Sequence, residues 1–168
     1  MLLNEQETRE LEERVLLQLR FRPAAGYRGH SLLWWKRPFR LPKPWAVYAL
    51  DDMSREQIGQ MSCAVKAALL KATEPGGRLY ALDWQHSAFL FDPWKEDPKS
   101  VRLEDEAGEY WAEFPLGYPE GDYVFFLDEN FRFGYLGHPW RKEVWVFGEK
   151  LLPEIAKITP TLGWKKLL

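Results

Sequence analysis

Three short segments carry the residue types that acid–base chemistry needs. The first is Asp83-Trp84-Gln85-His86. Asp83 ends an apolar run, and on a strand it falls on the same side as Leu79 and Ala81. A carboxylate there is costly unless it is paired or accepts hydrogen bonds. Either Asp83 caps a hairpin turn in which His86 is a turn residue, or the two form a carboxylate–imidazole pair at a sheet end. In the second case Asp83 orients His86 as a base or ligand. The second segment is Gly137-His138-Pro139-Trp140, in which Pro139 holds His138 extended. Either His138 is buried and hydrogen-bonded in a turn, or its ring and the neighbouring indole make a shelf for a flat ligand or a peptide. The third, Gly121-Asp122, is turn material that gains interest only if Asp122 lies near His86 or His138. The catalytic candidates are Asp83, His86, Asp122 and His138, and the binding candidates are Trp84, Gln85 and Trp140.

Other chemistries lack their signatures. Two His and two Asp could bind a divalent metal, but no HxH, HExxH or DxD spacing is present, so no metal is expected. No P-loop, GxGxxG or GxSxG occurs, and no cofactor is expected. The one cysteine, Cys63, excludes an internal disulfide and reads as a small packing residue on a helix.

The elements that must position these residues follow from local patterns. Asn4 with Glu7 forms a capping box opening a helix over about residues 5–20, with Leu11, Val15 and Leu19 on one face. Ser54 with Gln57 forms a second box, opening a helix over about 55–73 that Pro75-Gly76-Gly77 ends. Strands are expected at Leu32–Trp35, Trp45–Leu50, Arg78–Trp84, Ala88–Asp92, Glu109–Phe114, Tyr123–Leu127, Phe131–Leu136 and Glu143–Phe147. A charged loop fills about 95–108, a short helix about 149–157, and a tail bearing Trp164 runs from 159 to 168. The pattern predicts one α+β domain over 1–168, with an antiparallel sheet of five to seven strands and one or two helices on one face. Such a sheet often leaves its other face to solvent or to a partner.

Composition bounds the setting. The chain has 168 residues, 46% hydrophobic and 29% charged, which excludes intrinsic disorder. No run of about 18 apolar residues is present, and the acidic start is unlike a signal peptide, so a soluble, cytoplasmic protein is expected. The net charge of −2 hides an uneven distribution. Residues 1–14 carry net −3, residues 15–50 hold seven Lys/Arg and no acid, and residues 92–130 carry net −9. Either the basic and acidic stretches pair at the surface, or the surface is polarised and steers a charged partner. Tyr27, Trp34, Trp35, Phe39 and Trp45 are interleaved with the bases, as in single-strand binders, but the overall acidity argues against nucleic acid.

Leu79 to His86 (LYALDWQH), Gly121 to Leu127 (GDYVFFL), and Phe133 to Trp140 (FGYLGHPW) followed by Val146-Phe147-Gly148 together resemble a bacterial family catalogued as a domain of unknown function, number 2716. The resemblance spans about residues 45–152. Leu136 stands where an aromatic is usual and Arg141 where an acid is usual. The resemblance implies a small bacterial cytosolic protein and brings no activity, cofactor or catalytic residue. The function expected from these observations is a non-enzymatic module that binds another protein, of which an immunity-like inhibitor of a toxin is one version. The alternative is a small hydrolase-type enzyme using His86 or His138 with Asp83 or Asp122.

Overall fold

The computed structural model describes residues 1–23, 37–105 and 107–168. The expected strand at 32–35 lies outside them. Among the described residues, three helices, α1 (Glu5–Gln18), α2 (Arg55–Ala72) and α3 (Leu151–Leu162), accompany nine strands. These are β1 (Trp45–Ala49), β2 (Leu79–Asp83), β3 (Ser87–Phe91), β4 (Val101–Asp105), β5 (Gly108–Ala112), β6 (Val124–Asp128), β7 (Gly134–His138), β8 (Glu143–Phe147) and β9 (Lys165–Lys166). Seven form one sheet in the order β3-β2-β6-β7-β8-β1-β9, and β4 and β5 form a separate hairpin. Every pairing is antiparallel. The architecture is α+β.

Side-chain alternation explains why the sheet is buried on both faces. Val124 and Phe126 of β6 point to one side with Ala81, Tyr135, Val144 and Val146, where Met61, Val65 and Leu69 of α2 and Leu151 and Ile155 of α3 meet them. Phe125 and Leu127 point to the other with Leu82, Leu136, Trp145 and Phe147, where Leu11, Val15 and Leu19 of α1 cover them. The central strands β6, β7 and β8 are buried along their whole length. The second face is therefore closed by α1, with Phe21 and Phe39 extending its cover, and is not left open.

Both capping boxes form. Asn4 Oδ1 accepts from the Glu7 N–H at 3.0 Å while the Glu7 carboxylate accepts from the Asn4 N–H at 2.8 Å, and Ser54 and Gln57 do the same for α2. Other boundaries shift. The expected loop at 95–108 contains β4, whose VRLED sequence puts Val101 and Leu103 on one face, of which only Leu103 is partly buried against the core. The expected strand at 131–136 begins only at Gly134. Before it, the Asp128 carboxylate accepts the Asn130 and Arg132 N–H groups and a two-pronged bond from the Arg132 guanidinium, so Phe131 and Phe133 pack from a turn. Helix α3 runs on to Leu162 and includes Pro160. The tail after it packs: Trp164 is buried and β9 adds to the edge of β1. Cys63 is exposed on α2, not packed.

Candidate functional site

The β2–β3 turn carries the first candidate segment to the end of the sheet. Asp83 pairs with Ser87 in the hairpin register, and the His86 N–H donates to the Asp83 carbonyl at 3.0 Å. Gln85 adopts a left-handed backbone conformation at φ 66°, a state that costs a non-glycine residue about 1–2 kcal/mol. Its N–H donates to the Glu12 carboxylate of α1 at 2.8 Å, so the helix holds the tip of the hairpin.

The loop before β6 brings Asp122 to this turn. Gly137 of β7 makes the approach possible: a Cβ there would stand 2.8 Å from the Pro119 Cβ, so only glycine lets the 118–120 loop lie on the strand. His86 Nε2 and Asp122 Oδ2 are 2.9 Å apart, and both side chains stay substantially exposed. Asp83 lies beside them. Burial pushes its carboxyl up to about 6, with the Asp122 and Glu113 charges adding to the rise and His86 opposing it.

These three groups face a cleft of about 1000 Å³ between the start of α1 and the β4–β5 hairpin. Six carboxylates line it, from Glu5, Glu12, Asp83, Glu113, Glu120 and Asp122, against one arginine, Arg9, and His86. Tyr110 and Trp111 of β5 are among its lining residues and are 47% and 57% exposed. The Ser87 hydroxyl is occupied, donating to the Glu113 carbonyl at 2.7 Å. Among the described residues, no group of three His, Cys, Asp or Glu side chains is arranged to hold a metal ion.

Of the candidate residues, Asp83, Gln85, His86 and Asp122 meet in this cleft, and Trp84, His138 and Trp140 do not line it. Trp84 points to the opposite face from Asp83 and is buried edge-on against Phe21 at 4.8 Å between ring centres. His138 is fully buried, with its ring edge-on to Tyr123 at 4.8 Å and its Nδ1 accepting from the Arg141 N–H at 3.3 Å. Trp140 covers the same Tyr123 from outside and is 47% exposed. The two histidines thus have different roles, one at an open corner and one in the core. Arg141 forms an ion pair with Glu143 at 2.8 Å, which in turn accepts from the Trp145 indole N–H.

The acidic lining was only partly readable from sequence. Glu113, Glu120 and Asp122 belong to the acidic stretch 92–130, but Glu5 and Glu12 look like solvated positions at the start of a helix. Nothing local marks them as neighbours of residue 85. The expected pairing of basic with acidic stretches is absent among the described residues. The acids of 92–130 pair instead with Lys66, Arg78, His86, Lys95, Arg102 and Arg132.

A family profile described as "Protein of unknown function (DUF2716)" matches residues 2–152. The chain belongs to this family. The DUF2716 match begins before α1 and ends inside α3, so it takes in both layers of helix and every cleft-lining residue. An uncharacterized protein, YxiI, of Bacillus subtilis (strain 168) is 35% identical over 130 residues, covering 72% of this chain and 75% of that relative. No solved structure matches. No helix among the described residues is long and apolar enough to cross a membrane.

Proposed function

We propose that this DUF2716 protein is a cytoplasmic, non-enzymatic binding module that receives a basic segment of a partner protein in the cleft beside His86. The observation that carries this is the lining: six carboxylates against one arginine and one histidine, next to two half-exposed aromatic rings. Concentrated negative charge in a concave site draws a cationic partner and speeds encounter. Tyr and Trp supply contact area at small entropic cost, and Arg side chains stack on them. Immunity-like capture of a basic toxin surface is one form this takes.

A hexa-arginine peptide, followed by fluorescence anisotropy, tests the proposal. Saturable binding that weakens steeply between 50 and 300 mM salt, and that is strongly weakened in Glu12→Lys/Glu113→Lys, is the expected outcome. Affinity unchanged by that double reversal would overturn it.

One observation favours a second reading, a small hydrolase-type enzyme. The His86–Asp122 contact of 2.9 Å lies beside a carboxyl raised to about 6, so a base, its orienting acid and a proton donor share one cleft. In that reading His86 activates water, Asp122 orients the ring and Asp83 donates a proton, while His138 stays structural. A screen of ester, phosphoester and peptide substrates with His86→Ala and Asp122→Ala decides it. Activity that survives both changes removes these residues from any mechanism.

A further inference from the structure

A second concave site lies at the other end of α1, and nothing in the proposed binding of a basic segment uses it. From the arginine side chains around it we infer that it binds a compact, phosphate-bearing small molecule. The pocket has a volume of about 310 Å³ and is lined by Arg20, Arg22, Arg37 and Arg40 with Trp45 and Trp145 among its apolar walls.

Main-chain bonds fix the backbone at two of these arginines. The Arg40 N–H donates to the Leu19 carbonyl at 2.8 Å, and the Arg22 N–H donates to the Pro38 carbonyl at 2.9 Å. These bonds tie the stretch after α1 to the stretch before β1. Arg20 follows the helix cap in the left-handed conformation, φ 49°, a position where glycine is the usual choice. The apolar floor is equally fixed: Trp45 and Trp145 stack at 5.8 Å, and the Arg37 guanidinium lies 5.2 Å over the Trp45 ring.

Among the described residues, none of the four guanidinium groups has a carboxylate partner. No acid occurs anywhere from Val15 to Leu50, so the stretch that carries these arginines supplies none, and Glu143 beside Trp145 is paired with Arg141. Four arginines that line one pocket without a carboxylate partner among the described residues leave a deficit of negative charge there. The half-charge at the helix C-terminus favours the cations and is far smaller than their sum.

Phosphate fits this deficit better than a carboxylate does. It carries more than one negative charge near neutral pH and presents three oxygens, enough to accept from several guanidinium forks at once. The pocket's concavity and its size favour a small molecule over a nucleic-acid backbone, which needs an open groove.

Isothermal titration calorimetry on the full chain tests this with three probes: inorganic pyrophosphate, adenosine 5′-monophosphate and an eight-nucleotide oligothymidylate. Saturable binding of pyrophosphate, of the nucleotide, or of both supports the inference, and which of the two binds tells whether a ring beside the phosphate is accepted. Arg37→Ala/Arg40→Ala is expected to weaken that binding about 30-fold or more. Arg37→Lys/Arg40→Lys keeps the charge, loses the fork geometry and is expected to fall between. The lysine variant also serves if the alanine variant does not fold, as judged by circular dichroism. Glu12→Lys/Glu113→Lys is expected to leave phosphate binding unchanged. Absence of binding to both small probes, binding undiminished in both arginine variants, or binding of the oligonucleotide alone would overturn the inference.

Discussion

The two ends of α1 carry opposite charge, and they were assembled in different ways. At the start of the helix, the acidic cleft draws its carboxylates from residues 5 and 12, from 83, and from 113–122. At the far end, the arginine pocket draws its bases from residues 20–40 alone. A 14-residue helix is about 21 Å long, more than two Debye lengths at physiological salt, so the two fields scarcely overlap in solution. The near-neutral total of −2 therefore averages over two separated sites of opposite sign and describes neither.

The largest expected effect would break this separation. Glu12→Lys/Glu113→Lys reverses two of the six cleft carboxylates and should weaken hexa-arginine binding about 100-fold, or about 3 kcal/mol, with pyrophosphate binding unaltered. If each probe responds to changes at both ends, the molecule has one continuous electrostatic surface and the two-site description fails.

A second test sharpens the contrast within the histidines. His138→Ala removes a fully buried ring packed on Tyr123 and should cost about 2 kcal/mol, lowering Tm by about 4–8 °C. His86→Ala removes an exposed ring and should change stability by less than about 0.5 kcal/mol, while altering binding in the cleft. Equal losses of Tm in the two variants, by calorimetry, would show that the cleft corner is part of the folding core.

The smallest effect concerns pH. The Asp83 carboxyl is raised from 3.8 to about 6, so the folded chain keeps a proton that the unfolded chain has lost. This contribution to stability is present below about pH 4 and declines as pH rises through about 6. Asp83→Asn should therefore raise Tm at pH 7.5 and leave it unchanged at pH 3.5. Allowing for solvent screening of a half-exposed group, the gain is about 1 kcal/mol, or about 2–4 °C. An equal change at both pH values would mean that ionisation at Asp83 does not govern it.

How much of this was legible depended on the range of the interactions. The capping boxes at Asn4 and Ser54 involve residues three apart, and both helices start where those residues place them. The apolar runs at Trp45, Leu79, Val124 and Glu143–Phe147 became strands. By contrast β4 has only Val101 and Leu103 on its apolar side, among four charged residues between 102 and 106, and β9 is two lysines, so the periodicity that marks them is weak or absent. They exist because a neighbouring strand offers its hydrogen bonds. The alternation of Phe131 and Phe133 suggested a strand, yet the Asp128 carboxylate competes for the backbone N–H groups there and makes a turn.

The candidate site divides along the same line. Asp83 and His86 are three residues apart in one hairpin, and their proximity was readable. Asp122 joins them only because β6 pairs with β2 and Gly137 admits the Pro119 loop. Trp84 and His138 looked equivalent to their neighbours by residue type, but strand alternation and depth in the core turned them into packing groups. The arginine pocket was foreshadowed by an acid-free basic stretch with interleaved aromatics.

The amino-acid sequence by itself determined the fold class, most of the strands, two helix starts and the sign of charge along each stretch. Those properties arise from residues within a turn or two of one another. Only the tertiary structure decided that α1 closes the second face of the sheet, that its acids join Asp83 and Asp122, and that His86 faces a cleft while His138 lies in the core. Those outcomes depend on which strand ends and loops meet in space, and that is set by burial of the whole sheet on both faces, a constraint no local segment contains.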